Sequence, residues 1–158
     1  MVKTKIAIAG VLGRMGKNLI ESAQLNDVVE IVGIFDKSPI SEDHLVSFKL
    51  KSDIATTSDD AFDRADVVID FTSPSALFMF TESAIAHKAA LVVGTTGLEQ
   101  KHFNLLQQTS KATKIFYAPN MSLGVNSFFQ VARDTAAKLK DYDIEIIESH
   151  HKFKKDAP

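Results

Sequence analysis

The 158-residue sequence contains no cysteine. That one absence excludes disulfides, thiolate nucleophiles and cysteine-ligated zinc together. Positive charge is not in excess either: 18 Lys and Arg stand against 20 Asp and Glu, a formal net charge of -2. A surface that tracks phosphate backbones normally needs a basic surplus, so nucleic acid is not an expected partner. Long apolar runs are missing too. The first run, Ile6 to Ala9, is closed at once by Gly10, which makes it too short for a signal peptide or a membrane span. No membrane association is expected, and the chain reads as a soluble cytoplasmic protein. What is present is ordinary globular material, 45% hydrophobic and 24% charged, enough for a sizeable core. No internal repeat or low-complexity segment interrupts it.

Taken in order, Lys5 to Gly10 is a short apolar run bounded by glycine and predicts a buried strand. Met15, Leu19, Ile20 and Ala23 recur at helical spacing and predict a helix over Arg14 to Leu25. Val28 to Phe35 predicts a second strand, Ala65 to Phe71 a third, Ala90 to Gly94 a fourth and Lys114 to Ala118 a fifth. Helices are predicted from Ser73-Pro74-Ser75 to about His87 and over Leu98 to Ser110. Residues 40 to 60 are polar and mixed, and no element is assigned there. Strands alternating with helices of this length imply βαβ units and a parallel sheet, an α/β fold. Beyond Asn120 the pattern changes. Ser122 to Lys140 predicts one long amphipathic helix, and Asp143 to Ser149 alternates like a strand. The expected organisation is a nucleotide domain over residues 1–121 and the start of a second domain over 122–158.

Three of the seven glycines fall in Gly10-Val11-Leu12-Gly13-Arg14-Met15-Gly16, between the first strand and the first helix. A dinucleotide pyrophosphate needs a tight turn, close backbone approach and helix N-terminal amides aimed at its charge. The spacing is GxxGxxG rather than GxGxxG, so its context of strand, loop and helix carries more weight than its letters. Asp36 stands twenty positions after Gly16, at the end of the second strand, where a carboxylate accepts hydrogen bonds from an adenosine ribose. Lys37 beside it suits a 2′-phosphate. Asp36 therefore favours NADH and Lys37 softens that preference. The competing reading is a tight turn, a helix cap and a surface aspartate.

Gly94-Thr95-Thr96-Gly97 follows the fourth strand at the carboxyl edge, where ligands of open α/β sheets gather. It suits an amide or carboxylate, or is simply a turn. Ala118-Pro119-Asn120-Met121-Ser122 sits at the equivalent end of the fifth strand, where Asn120 suits a bond to nicotinamide; the competing role is capping of the long helix by Asn120 or Ser122. His44, His87 and His102 are expected at the surface. The adjacent His150 and His151, followed by Lys152, Lys154 and Lys155, form a cationic end. Neighbours in a strand point to opposite faces, so the histidine pair chelates one ion poorly and no metal is expected. A small anionic substrate remains, since hydride delivery to a conjugated imine or alkene leaves charge that Lys or His can protonate.

GxxGRMG after the first strand, Asp70-Phe71-Thr72, the GTTG loop, the Asn120 to Asn126 run and E-x-H-H-x-x-K-x-D-A-P together resemble the dihydrodipicolinate reductase family across the whole chain. The resemblance implies a Rossmann-type nucleotide domain followed by the first helix and strand of an α+β substrate and oligomerisation domain. It implies NAD(P)H-dependent reduction of 4-hydroxy-tetrahydrodipicolinate, a cyclic dicarboxylate, on the diaminopimelate route to lysine, by a homotetramer. Carried over by position, Gly10, Val11, Leu12, Gly13, Arg14 and Met15 hold the pyrophosphate. Asp36 takes the adenosine ribose and Lys37 a 2′-phosphate. Gly94, Thr95 and Thr96 contact the nicotinamide end, as do Ala118, Pro119, Asn120 and Met121. His150 is the catalytic acid/base, Lys154 the proton donor and His151 a substrate ligand, while Lys152 and Phe153 fall at variable positions. The family pattern continues after D-A-P into S-G-T, and Pro158 is the last residue here. The rival expectation is a non-catalytic dinucleotide-binding module with a vestigial active-site tail.

Overall fold

The structure, a computed structural model, describes residues 2–149. The chain divides into two compact units, Met1–Tyr117 and Ala118–Pro158.

The first unit is built on five parallel strands: β1 (Thr4–Ala9), β2 (Val29–Phe35), β3 (Val67–Asp70), β4 (Ala90–Val93) and β5 (Ile115–Tyr117). Their spatial order is β2-β1-β3-β4-β5. The chain therefore winds outward from β1 in one direction, then crosses back over it and continues in the other. Helix α1 (Arg14–Gln24) connects β1 to β2, while α2 (Glu42–Ser47) and α3 (Ser58–Arg64) lead back to β3. Helix α4 (Leu77–His87) and α5 (Gln100–Thr109) fill the remaining crossovers. Reversal of winding direction places the two sets of helices on opposite faces, because parallel crossovers are right-handed.

Strand β1 shows how the sequence serves both faces. Ile6 and Ile8 join one core with Val11, Ile20, Ile34 and Leu45, beneath α1 and α2. Ala7 and Ala9 join the other, with Phe35, Phe62, Leu77, Phe80 and Leu106 beneath α3, α4 and α5. Period-two alternation sends successive side chains to opposite sides, so a strand buried on both must be apolar throughout. The aromatic side chains of Phe35, Phe62 and Phe80 meet at centroid distances of 5.5–6.0 Å. Such pairs add about 0.5–1.5 kcal/mol each beyond their burial.

Two short helices occupy the stretch left unassigned from sequence. Ser41 caps α2 and shares a capping box with His44, and Thr57 caps α3 by accepting from the Asp60 N–H. Between them Ala55 makes a single parallel bridge to Gly33. At six and seven residues these helices complete less than two turns, too short for periodicity to register. His102 is a correction to its surface assignment. It is buried, its Nδ1 accepts from the Glu99 N–H at the start of α5, and its ring packs on Phe78.

His87 ends α4 with its Nε2 3.0 Å from Asp59 and its Nδ1 3.4 Å from Asp63, both on α3. The Asp59 hydrogen bond raises its pKa above the usual histidine value. A raised folded pKa means this clip contributes fully below about pH 6.5 and is lost as pH rises through the folded value. Both carboxylates are exposed, so screening keeps the effect small. Between pH 6 and 9 the wild-type Tm should fall by about 1–3 °C more than that of His87→Asn. Parallel pH profiles would remove the clip from the account.

In the second unit, Ser122 caps α6 (Leu123–Lys138), its Oγ accepting from the Val125 N–H. No strand forms over Asp143 to Ser149, which corrects the sequence expectation. Alternation supplies faces but not a hydrogen-bonding partner, and Ile144, Ile146 and Ile147 are exposed.

Candidate functional site

The carboxyl ends of β1, β2 and β3 meet where the winding direction changes, and a cleft of about 560 Å³ opens there. Gly10, Leu12, Gly13, Asp36, Lys37 and Thr72 are among the residues lining it. A larger hollow, about 770 Å³, lies at the opposite, amino edge among Lys3, Glu30, Lys51 and Arg64. The smaller one is the better candidate, because the strand-order reversal parts the loops at the carboxyl edge and leaves their backbone amides facing open space.

The glycine loop is shaped by contacts that leave no room for side chains. Gly10 turns the chain at φ 74°, and a Cβ there would stand 2.8 Å from the Thr72 methyl. Its N–H donates to the Phe35 carbonyl at 2.8 Å, so the end of β1 is tied to the end of β2. Gly16 lies in α1 directly against the backbone of Gly10 and Val11. Val11 is fully buried in the core below, while Arg14 and Met15 are exposed on the first turn of α1. Gly13 is the N-cap of α1, with no side-chain cap bond and no acid in the first turn. The N-terminal amides of α1 thus face the cleft region uncapped, a chemistry that suits an anion.

Asp36 is held rather than free. One carboxylate oxygen accepts from the Leu12 N–H at 3.0 Å, which fixes the acid beside the glycine loop and leaves its other oxygen without a protein donor among the described residues. Lys37 is exposed beside it.

Asp70, given no separate role from sequence, joins the loops after β3 and β4. It is fully buried and accepts from the Thr72 hydroxyl (2.6 Å), the Thr72 N–H (2.8 Å) and the Thr95 hydroxyl (3.0 Å). Burial pushes its pKa up, and the Thr72 and Thr95 hydrogen bonds oppose that rise. The Thr95 hydroxyl also accepts from the Thr72 N–H at 3.1 Å. Its side chain is therefore spent on the scaffold and not on a ligand. Thr96 is exposed, and Gly94 lies flat against the Phe71 ring. The signal for Asp70 was an acid closing the apolar strand Val67-Val68-Ile69-Asp70, next to hydroxyls in both DFT and GTTG.

Ala118, Pro119, Asn120 and Met121 belong to the second unit. The Asn120 side-chain carbonyl accepts from the Ser122 N–H at 2.9 Å, and its backbone carbonyl accepts from Asn126. Ser122 is the helix cap and Asn120 supports it. His150, His151 and Lys154 lie outside the described residues.

Comparison with known proteins was consistent across sequence and structure. The family description "Dihydrodipicolinate reductase, N-terminus" matches residues 4–121, and "Dihydrodipicolinate reductase, C-terminus" matches residues 124–158. The 4-hydroxy-tetrahydrodipicolinate reductase of Colwellia psychrerythraea is 38% identical over 168 residues, covering 99% of this chain and 61% of that protein. Its counterpart from Sulfurimonas denitrificans is 39% identical, covering 98% and 59%. The chain thus spans less than two thirds of these relatives' length. Among solved structures, a dipicolinate-bound dihydrodipicolinate reductase from Paenisporosarcina sp. TG-14 superposes with a TM-score of 0.72 at 24% identity, covering 99% of this chain and 62% of that one. GenD2 of gentamicin A biosynthesis, in complex with NAD, superposes at 0.59 with 18% identity, covering 76% and 35%. These two likenesses speak to the fold. With both family descriptions matched in order, the chain belongs to the dihydrodipicolinate reductase family.

Proposed function

We propose that residues 1–121 bind NADH or NADPH across the carboxyl-edge cleft, for the NAD(P)H-dependent reduction of 4-hydroxy-tetrahydrodipicolinate in diaminopimelate and lysine biosynthesis. The observation that carries this reading is the uncapped N-terminus of α1 opening beside a tethered Asp36 at the strand-order switch. The residues present fit a dinucleotide. Gly10 and Gly13 keep Cβ atoms away from the pyrophosphate approach, and the amides of Arg14 and Met15 supply donors, the Gly13 N–H being held by the Gly10 carbonyl. Asp36 offers one oxygen to the adenosine ribose, and Lys37 stands ready for a 2′-phosphate. Gly94, Thr96 and the backbone of Thr95 frame the nicotinamide end.

Bound nicotinamide supplies a hydride. Protonation of the reduced substrate then falls to Lys154, with His150 as acid/base and His151 on a substrate carboxylate, roles that rest on the family resemblance. Family membership supports the reductase over a non-catalytic module. No helix among the described residues is long and apolar enough to cross a membrane. A cytoplasmic homotetramer, with the small cyclic dicarboxylate as partner and neither nucleic acid nor membrane, completes the proposal for the whole protein.

Calorimetric titration tests the cofactor half. Saturable binding of NADH or NADPH at 1:1 is expected, and heat from neither removes the dinucleotide site. The catalytic half is read by steady-state reduction of 4-hydroxy-tetrahydrodipicolinate in His150→Ala and Lys154→Ala proteins. Turnover unchanged by both would take these residues out of the mechanism.

A further inference from the structure

Ser58 carries a hydroxyl that the site described so far does not use. Its Oγ is shielded from solvent and has no hydrogen-bond partner among the described residues. A buried hydroxyl left unpaired costs stability, and such atoms are uncommon enough in folded proteins to call for a reason. The position of Ser58 supplies one. The Gly33–Ala55 bridge, with the Ile34 N–H donating to Ala55 and the Ala55 N–H to Val32, runs residue 55 alongside β2. Thr57 then takes the capping duty of α3, accepting from the Asp60 N–H at 3.3 Å and donating to the Asp60 carboxylate at 2.9 Å. That frees the next residue from any structural role. Ser58 arrives on the wall of the cleft shared with Asp36, Lys37 and Ser38. The bridge to Gly33 runs the approach to α3 alongside β2, the strand that leads into Asp36.

We infer that Ser58 is a specificity-determining contact for the adenosine ribose of the dinucleotide, its hydroxyl hydrogen-bonding the 2′ oxygen that Asp36 and Lys37 also address. The inference rests on the proposed dinucleotide site. A serine χ1 has three staggered wells, so rotation brings Oγ from its shielded position to the cleft without moving the backbone. Pairing there relieves the unpaired hydroxyl, so ligand binding gains from a group that costs stability in its absence.

The test is Ser58→Ala, followed by calorimetry with NADH, NADPH and ADP-ribose and by thermal unfolding without ligand. Expected are about 5- to 20-fold weaker binding of NADH and of ADP-ribose by the same factor, an altered NADH-to-NADPH affinity ratio, and an unliganded Tm equal to or above wild type. Unchanged affinity for all three ligands overturns the inference while the site stands. Weakened NADH binding with unchanged ADP-ribose binding also overturns it, because the contact would then lie outside the adenosine half. Wild-type protein that binds none of the three takes down the dinucleotide site itself, and this contact with it. A Ser58→Thr protein, which keeps the hydroxyl, should recover most of the lost affinity; failure to do so while folded counts against the hydrogen bond.

Discussion

Gly16→Ala is expected to lower unfolding free energy by about 2–3 kcal/mol, the cost of forcing atoms into a packed interior. The obstacle is backbone, the Gly10 carbonyl and Val11 Cα, and not the far end of a flexible side chain. No rotamer change can make room, so α1 must lift from β1. Chemical denaturation reads the loss directly, and the Tm should fall by about 8–15 °C for a unit of this size. Dinucleotide affinity should fall with it, since α1 carries the amides of the proposed phosphate site. Gly13→Ala separates the two effects. A Cβ at Gly13 meets only the Gly10 carbonyl, at 3.2 Å, so stability should change by less than about 1 kcal/mol. The new methyl nevertheless stands at the pyrophosphate approach, and NADH binding should weaken by at least about tenfold. Wild-type stability in Gly16→Ala would contradict the close seating of α1. Wild-type NADH affinity in Gly13→Ala would move the phosphates elsewhere.

The contrast between these glycines also shows what a sequence can disclose. A turn glycine followed by a helix predicts the loop from local spacing, and β1 with α1 forms within a residue or so of the expected limits. Which glycine is held by packing and which only by ligand approach depends on a crossing of helix over strand that no spacing encodes. Asp36 was legible as the acid at the end of β2, yet its bond to the Leu12 amide required the loop to fold back over it. Asp70 and Thr95 are twenty-five positions apart, and their pairing follows from β3 and β4 lying side by side. The residues missed in α2 and α3 had their caps in view, Ser41 and Thr57, but too few turns to show a face. The reading failed most clearly at Asp143 to Ser149, where strand alternation was present and a partner strand was not.

Asp70→Ala should cost about 3 kcal/mol, more than truncation of an ordinary surface acid, because three donors lose one acceptor at once. Both hydrogens from Thr72 and the buried hydroxyl of Thr95 would lose their carboxylate, at about 1–3 kcal/mol for each fully orphaned group, while the Thr72 N–H keeps the Thr95 oxygen as an acceptor. Partial rehydration of Thr72, which is exposed, keeps the sum below three full penalties. Asp70→Asn is the informative partner. Its carbonyl can still accept from Thr72, and its amide can donate to the Thr95 oxygen, so a loss of only about 1 kcal/mol is expected near pH 7. The pH dependence then gives a second handle. Burial raises the folded pKa of Asp70 above the 3.8 of a free side chain. Its protonated form is thus favoured in the folded state, a contribution fully present below pH 3.8 and lost as pH rises through the folded value. The stability gap between wild type and Asp70→Asn should therefore narrow with rising pH across that window, against a background of other carboxylates that behave alike in both proteins. A gap that stays constant would mean that the hydrogen bonds from Thr72 and Thr95 offset the burial. Either outcome bears on the site, because the Asp70 carboxylate joins the loops after β3 and β4, beside the direct bond from the Thr72 N–H to the Thr95 hydroxyl. Loosening it should weaken NADH binding more in Asp70→Ala than in Asp70→Asn, in the same order as the stability loss.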